Sequence, residues 1–293
     1  MDTRPARARA GVRPERNDVR GRGPARTVGA GHADAPGDEG PMTDVIFVHG
    51  ALVRDGAWWW RPTADLLEAR AGLRSRSLEL PSCAETADPG RASDPASPRS
   101  APAVDAPPAP GLVEDAAALR RLLDDVEDDA VVVAHSYGGT VVAEAGRHPA
   151  VARLLLVSSY LPDVGATQAS LLADEPDPVA IGDAGGGLLA LEGHDAGSFG
   201  ARFLQDADPV VQREAWSRVT GQSAGAFVTP TTAAGWQGVD STYLVCADDR
   251  STTPELQRRH AARATRSVEL PTGHHPFVTR PDLVAEQVLA RRS

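Results

Sequence analysis

Two rhythms of apolar positions alternate along most of the chain from Asp44 onward. Short continuous β-rich runs at residues 45–48 and 130–134 predict strands covered on both faces. Further strands are expected at 73–80, 153–160, 243–247 and 267–270. Between them lie stretches with helical spacing. Residues 112–126 carry Ala116, Leu119, Leu122, Leu123 and Val126 on one side, with charges mostly between them. Residues 58–70 and 138–147 read as helices too, and 281–292 as a helix opened by Pro281. Strands alternating with helices predict an α/β fold, a mostly parallel sheet with helices on both faces.

Three segments break the rhythm. Residues 1–41 are dominated by Arg, Ala, Gly, Pro and Asp and show no apolar period. Such a segment cannot bury enough surface to offset its ordering entropy, so a disordered tail is expected. Residues 84–110, rich in Pro, Ala, Ser and Asp, read as a surface insertion rather than a linker, because the motifs on either side need each other. Residues 162–240 hold few strand-like runs but carry Phe199, Phe203, Trp216, Phe227 and Trp236. They predict a largely helical cap between two sheet strands, its aromatic residues lining a pocket.

Charge narrows the partners. The net charge of −10 disfavours phosphate backbones, so nucleic acid is not expected as a partner. All 30 basic residues are Arg, which excludes any mechanism that needs an amine side chain. No apolar run approaches the roughly 18 residues of a membrane span, and no secretory signal is visible, so no membrane association is expected. Two cysteines, Cys83 and Cys246, make neither a disulfide scaffold nor a metal site, and suggest a reducing, cytoplasmic setting. No His/Cys/carboxylate group has metal-ligand spacing, so neither metal nor cofactor is expected.

The strongest chemical signal is Ala134-His135-Ser136-Tyr137-Gly138-Gly139, which links an apolar strand directly to a helix. That is the context of a nucleophile elbow, where a strained turn lifts a serine hydroxyl above the sheet. The same hexapeptide alone also fits a serine that caps the next helix. Upstream, His49-Gly50-Ala51 ends the first strand. The N–H groups of Ala51 and Tyr137 are the candidate donors to a developing oxyanion.

A serine nucleophile needs a base, and the base an orienting carboxylate. Asp248-Asp249 closes the 243–247 strand and His274-His275 follows the 267–270 strand, giving the order Ser, acid, His. Within each pair the spacing does not choose. Of the other histidines, His135 reads as packing or turn structure rather than a second base, and His194 and His260 as surface groups.

At these residues the chain resembles a bacterial branch of the α/β-hydrolase fold, similar to the plant esterase and hydroxynitrile-lyase group. The likeness rests on Phe47-Val48-His49-Gly50-Ala51-Leu52-Val53, Asp55-Gly56, Trp58, Leu80-Pro81-Ser82-Cys83 and residues 134–139. It extends through residues 243–250, Pro254-Glu255-Leu256-Gln257, Gly273-His274 and Arg280-Pro281. The resemblance implies Asp249 rather than Asp248, since the acid precedes an Arg and stands five residues from Pro254. It implies His274 rather than His275, seven residues before Pro281. The catalytic set expected is thus Ser136, Asp249 and His274, acting on a small or medium, largely apolar ester. The lyases resembled here have a Lys where this chain has His275 and a hydroxyl residue where it has Gly50, which disfavours cyanohydrin cleavage. Ser136 also disfavours the dehalogenases and epoxide hydrolases of this fold, which use an Asp nucleophile.

Overall fold

The computed structural model describes residues 44–83 and 109–290. The expected tail at 1–41 and nearly all of the 84–110 insertion lie outside them. The chain opens with β1 (Asp44–Val48), α1 (Gly56–Ala71), β2 (Ser75–Leu78), α2 (Leu112–Asp124), β3 (Ala130–His135), α3 (Gly138–Ala145) and β4 (Val151–Val157). Next come α4 (Gln168–Leu172), β5 (Ile181–Gly185), β6 (Leu188–Leu191), α5 (Ala196–Phe203), α6 (Pro209–Trp216), β7 (Gln222–Ser223) and α7 (Gly225–Val228). The described chain closes with β8 (Ser241–Cys246), α8 (Pro254–Ala261), β9 (Arg266–Leu270), α9 (Pro276–Thr279) and α10 (Pro281–Leu289).

Six strands form one parallel sheet in the order β2-β1-β3-β4-β8-β9. Successive strand residues point to opposite faces, so each apolar run feeds two cores. Ile46, Val48, Val132, Ala134, Leu154 and Leu156 pack on one side with α2 and α3. Val45, Phe47, Val131, Val133, Leu155 and Val157 pack on the other with α1 and α10. Truncating Leu156, fully buried in β4, to Ala would cost about 2–5 kcal/mol.

Two strands are shorter than the apolar pattern suggests. Edge strand β2 pairs only with β1 and keeps four residues. Strand β4 stops at Val157 because Ser158 turns to φ +43 and Tyr160 N–H bonds Ser136 O at 3.2 Å instead of continuing the ladder. The cap between β4 and β8 contains the expected helices, α4 to α7. It also holds a three-stranded antiparallel sheet, β5-β6-β7, that the pattern did not disclose. The loops after β1, β3, β4, β8 and β9 leave the carboxyl edge of the parallel sheet, where open α/β folds gather functional groups.

Candidate active site

Ser136 directly follows β3 and has φ +51, a left-handed conformation costly for a residue with a Cβ. Neighbouring groups hold it there. Its N–H donates to Val157 O at 3.2 Å, and its carbonyl accepts from Gly139 N–H, Tyr160 N–H and Ser159 Oγ at 3.0–3.2 Å. Strain of this kind persists only when its surroundings over-determine it. The turn also needs missing side chains. A Cβ on Gly138 would come within 2.7 Å of Val48 O. One on Gly50 would approach His135 Nδ1 to 2.9 Å and Ser136 Cβ to 3.2 Å. Gly50 thus lets the loop after β1 come up beside Ser136, and the collision explains why no hydroxyl residue stands there.

The two ambiguous pairs separate by geometry. Asp249 is buried and its Oδ2 lies 2.7 Å from His274 Nδ1, whereas Asp248 is exposed. His275 turns the other way, with Nδ1 2.9 Å from Phe203 O and its ring stacked on Trp59 at 4.9 Å. Asp249 Oδ1 accepts from the N–H groups of Ser251 and Thr252 at 2.7 and 3.0 Å. Its Oδ2 also accepts from Ser158 Oγ at 2.7 Å and Gln257 Nε2 at 2.9 Å. So many donors fix the orientation of the carboxylate.

Sequence reasoning missed Ser158 and assigned Gln257 no role. Ser158 stands where β4 ends at the carboxyl edge of the sheet, a position whose polar residues are worth testing in any such fold. Gln257 reaches Asp249 from α8, one helical turn beyond Thr253, whose side chain caps that helix. His260 on the same helix is buried, not a surface group. Its Nδ1 accepts Leu161 N–H at 3.3 Å, and burial pushes its pKa down to about 4.

His135, read as packing or turn structure, supports the loop above it. Its Nε2 lies 3.0 Å from His274 O, and its ring meets the rings of His274, His275 and Phe277 at 4.4–4.9 Å. Burial holds both His135 and His275 well below the ordinary histidine range, and a charge on His274 would lower them further. One ring nitrogen of each of the three histidines lies within 4.8 Å of the others. A tetrahedral zinc with ~2.1 Å Zn–N bonds requires nitrogens about 3.4 Å apart, so any longer spacing within the cluster would have to close to hold one.

Ser136, His274, Gly50 and Ala51 open onto one cavity of about 70 Å³. Its cap wall is mostly apolar, made by Leu172, Val179, Ile181, Leu191, Phe199, Phe203 and Phe227 with the polar Gln168 among them. No Asp, Glu or Arg lines it among the described residues. Two expected pocket aromatics are elsewhere: Trp216 packs on Phe199, and Trp236 lies under Arg263 with Nε1 donating to Pro162 O. Among the described residues neither Ala51 N–H nor Tyr137 N–H donates to another backbone group, and Tyr137 heads α3.

A parallel sheet carrying a strained serine turn, an acid and a histidine at its carboxyl edge defines a class, and comparison with known proteins gives its family. The profile of the alpha/beta hydrolase family matches residues 45–287, and the chain belongs to that family. The alpha/beta hydrolase nvfD of Aspergillus novofumigatus is 28% identical over 199 residues, covering 62% of this chain and 78% of that protein. A pyrethroid hydrolase from Sphingobium faniae shares the fold with a TM-score of 0.63 at 23% identity, covering 84% of this chain and 95% of its own. The methylesterase MES16 from Arabidopsis does so with a TM-score of 0.61 at 16% identity, covering 85% and 98%. Among the described residues no helix is long and apolar enough to cross a membrane.

Proposed function

We propose that the protein hydrolyses a small or medium, largely apolar carboxylic ester through an acyl-enzyme. One observation carries the reading. The strained Ser136 and His274 share a cavity whose cap wall is mostly apolar, and His274 Nδ1 is bonded to the buried Asp249.

In this reading Ser136 Oγ attacks the ester carbonyl while His274 Nε2 accepts its proton. Asp249 holds Nδ1–H, so Nε2 is the nitrogen that presents a lone pair. The N–H groups of Ala51 and Tyr137 receive the oxyanion, aided by the positive end of α3. His274 then returns the proton to the leaving alcohol. A water molecule, deprotonated by the same imidazole, releases the acid and restores Ser136. The cap wall receives the apolar part of the ester.

A lyase or C–C hydrolase using the same three residues is the weaker alternative, cyanohydrin cleavage the weakest of these. His275 stands where the resembled lyases have their cation, yet it is buried, held neutral and bonded to Phe203 O. A non-catalytic binding role leaves the strain at Ser136 without a purpose. The free thiols of Cys83 and Cys246 support a reducing, cytoplasmic setting, and the net charge of −10 supports a small molecule rather than nucleic acid as partner.

The test is turnover of short and medium p-nitrophenyl esters together with labelling by a fluorophosphonate probe. Both are expected in the native protein and both lost in Ser136→Ala. A folded native protein that takes no label would sink the reading.

A further inference from the structure

The loops that carry Ala51 and Tyr137 are joined by one buried chain of hydrogen bonds that passes through the cap. Gln222 on β7 accepts Leu52 N–H at 2.9 Å through Oε1 and donates through Nε2 to Ser82 Oγ at 2.8 Å. Ser82 donates twice to Asp115, from Oγ to Oδ2 at 2.6 Å and from N–H to Oδ1 at 2.9 Å. Tyr137 Oη donates to the same Oδ2 at 2.8 Å. All five residues are at most 4% exposed, so no bond in the chain competes with bulk water.

The two ends of this chain are what give it meaning. Leu52 follows Ala51, and Tyr137 follows Ser136. Leu52 has φ +61, and both of its backbone groups are taken by the cap strand region: its N–H by Gln222 and its carbonyl by Thr220 N–H at 2.9 Å. The turn that aims the Ala51 N–H is therefore held from the cap. The Tyr137 ring is held by Asp115 from α2, and Ser82 links the two anchors. An oxyanion hole depends on donors fixed before charge develops, since reorganisation at that moment is what water would require. Fully satisfied buried networks supply that kind of rigidity.

We propose that Gln222 is a positioning residue through which the cap sets the spacing between the Ala51 and Tyr137 N–H groups. The inference rests on the serine-hydrolase reading above. It makes the cap part of the machinery for the chemical step, beyond its wall of apolar side chains.

Gln222→Met keeps the length of the side chain and removes both of its hydrogen bonds. On p-nitrophenyl butyrate kcat is expected to fall about tenfold to a hundredfold, less than or equal to the loss of a whole oxyanion donor. KM should move less than about twofold, because ground-state binding is not what the hole selects. Inhibition by butylboronic acid, whose tetrahedral adduct occupies the same hole, should weaken by the factor lost in kcat. Tyr137→Phe acts on the other end of the chain. Because both changes act through one network, the double variant should lose little more than the worse single.

If Gln222→Met does not fold, Tyr137→Phe and Ser82→Ala carry the test with the same readouts. A network that only stabilises the fold lowers the melting temperature and leaves kcat and boronate affinity unchanged in the folded protein; that result overturns the proposal, as does an additive double variant. Ser136→Ala keeps the two failures apart. Hydrolysis that survives Ser136→Ala defeats the serine reading itself. Hydrolysis lost there but untouched in Gln222→Met defeats only the positioning role.

Discussion

Ser158 and His274 share one oxygen of Asp249. Ser158 Oγ donates to Oδ2 at 2.7 Å, His274 Nδ1 lies 2.7 Å from the same atom, and the hydroxyl is 3.3 Å from that nitrogen. Ser158 achieves this at φ +43, a second left-handed residue beside Ser136. The hydroxyl therefore fixes which way the carboxylate faces the imidazole.

Ser158→Ala and Ser158→Gly separate the two properties of that residue. Both remove the hydroxyl, and both should lower kcat about tenfold with KM little changed, the loss expected for one bond to an orienting carboxylate. Glycine also relieves the positive φ, so Ser158→Gly should be about 1 kcal/mol more stable than Ser158→Ala in urea denaturation. Full activity in both would show that Gln257 and the two loop N–H groups hold Asp249 unaided.

A side chain at Gly50 would force the loop after β1 away from Ser136. A Cβ there would press on His135 Nδ1 and Ser136 Cβ at once, so Gly50→Ala and Gly50→Ser should cost about a hundredfold in kcat/KM. The loop can give a few tenths of an ångström without unfolding, so melting should shift by only a few degrees. Native-like activity in Gly50→Ser would mean that the loop after β1 does not need its present distance from Ser136.

Acid should unfold the protein through its buried histidines. Burial, with Arg263 and Arg259 nearby, pushes the His260 pKa down to about 4 from an ordinary value of 6.5. The unfolded chain therefore binds more protons than the folded one below pH 6.5. Stability from neutral His260 is complete above that pH and drains away as pH falls toward 4. The slope is about 1.4 kcal/mol per pH unit for each such group. His135 and His275, also held low by burial, add to the fall. His260→Gln keeps an acceptor for Leu161 N–H, so urea midpoints measured from pH 7 to 4 should show a slope reduced by about one proton. An unchanged slope would remove His260 from the acid transition.

The cavity should reject charge. With no cation among its described lining residues, an anionic acyl chain must lose its water without a partner. Hydrolysis of mono-p-nitrophenyl succinate should run about a hundredfold below that of p-nitrophenyl butyrate in kcat/KM. Leu191→Arg, in the cap wall, should narrow the gap. Equal rates for the two esters in the native protein would show that the acyl group faces solvent.

The sheet was legible because its signal is local. The run 130–134 is hydrophobic at every position, and the fold buries both of its faces. The same holds for the serine turn, where a strand, a small residue, a Ser and two glycines meet within ten positions. The cap sheet was not legible because its strands carry no such mark. Residues 181–185 mix Ile, Gly and Asp, and β7 is only two residues long. Ser158 was hidden inside an apolar stretch that reads as strand to Tyr160, although its own backbone turns out of the ladder. The choice between Asp248 and Asp249 lies in which of two adjacent side chains faces inward, and no period of a sequence records that. Gln257 belongs to a helix whose composition, with Arg258, Arg259 and His260 beside it, looks like a solvated face.

The aromatic contacts of α1 carry a consequence for the timing of activity during synthesis. Trp60 stacks on Phe277 at 3.9 Å, Trp59 on His275, and Thr63 Oγ1 donates to Phe277 O across 214 residues of chain. A nascent chain grown only as far as α8 already has the serine turn and Asp249, but neither the imidazole nor the segment that α1 grips. Domains fold as they leave the ribosome, N-terminal parts first. In this chain the serine turn and Asp249 have no histidine partner until residues 274–279 are made and α9 packs against α1. A copy terminated before residue 274 would carry the serine turn and Asp249 without the histidine that bonds to Asp249.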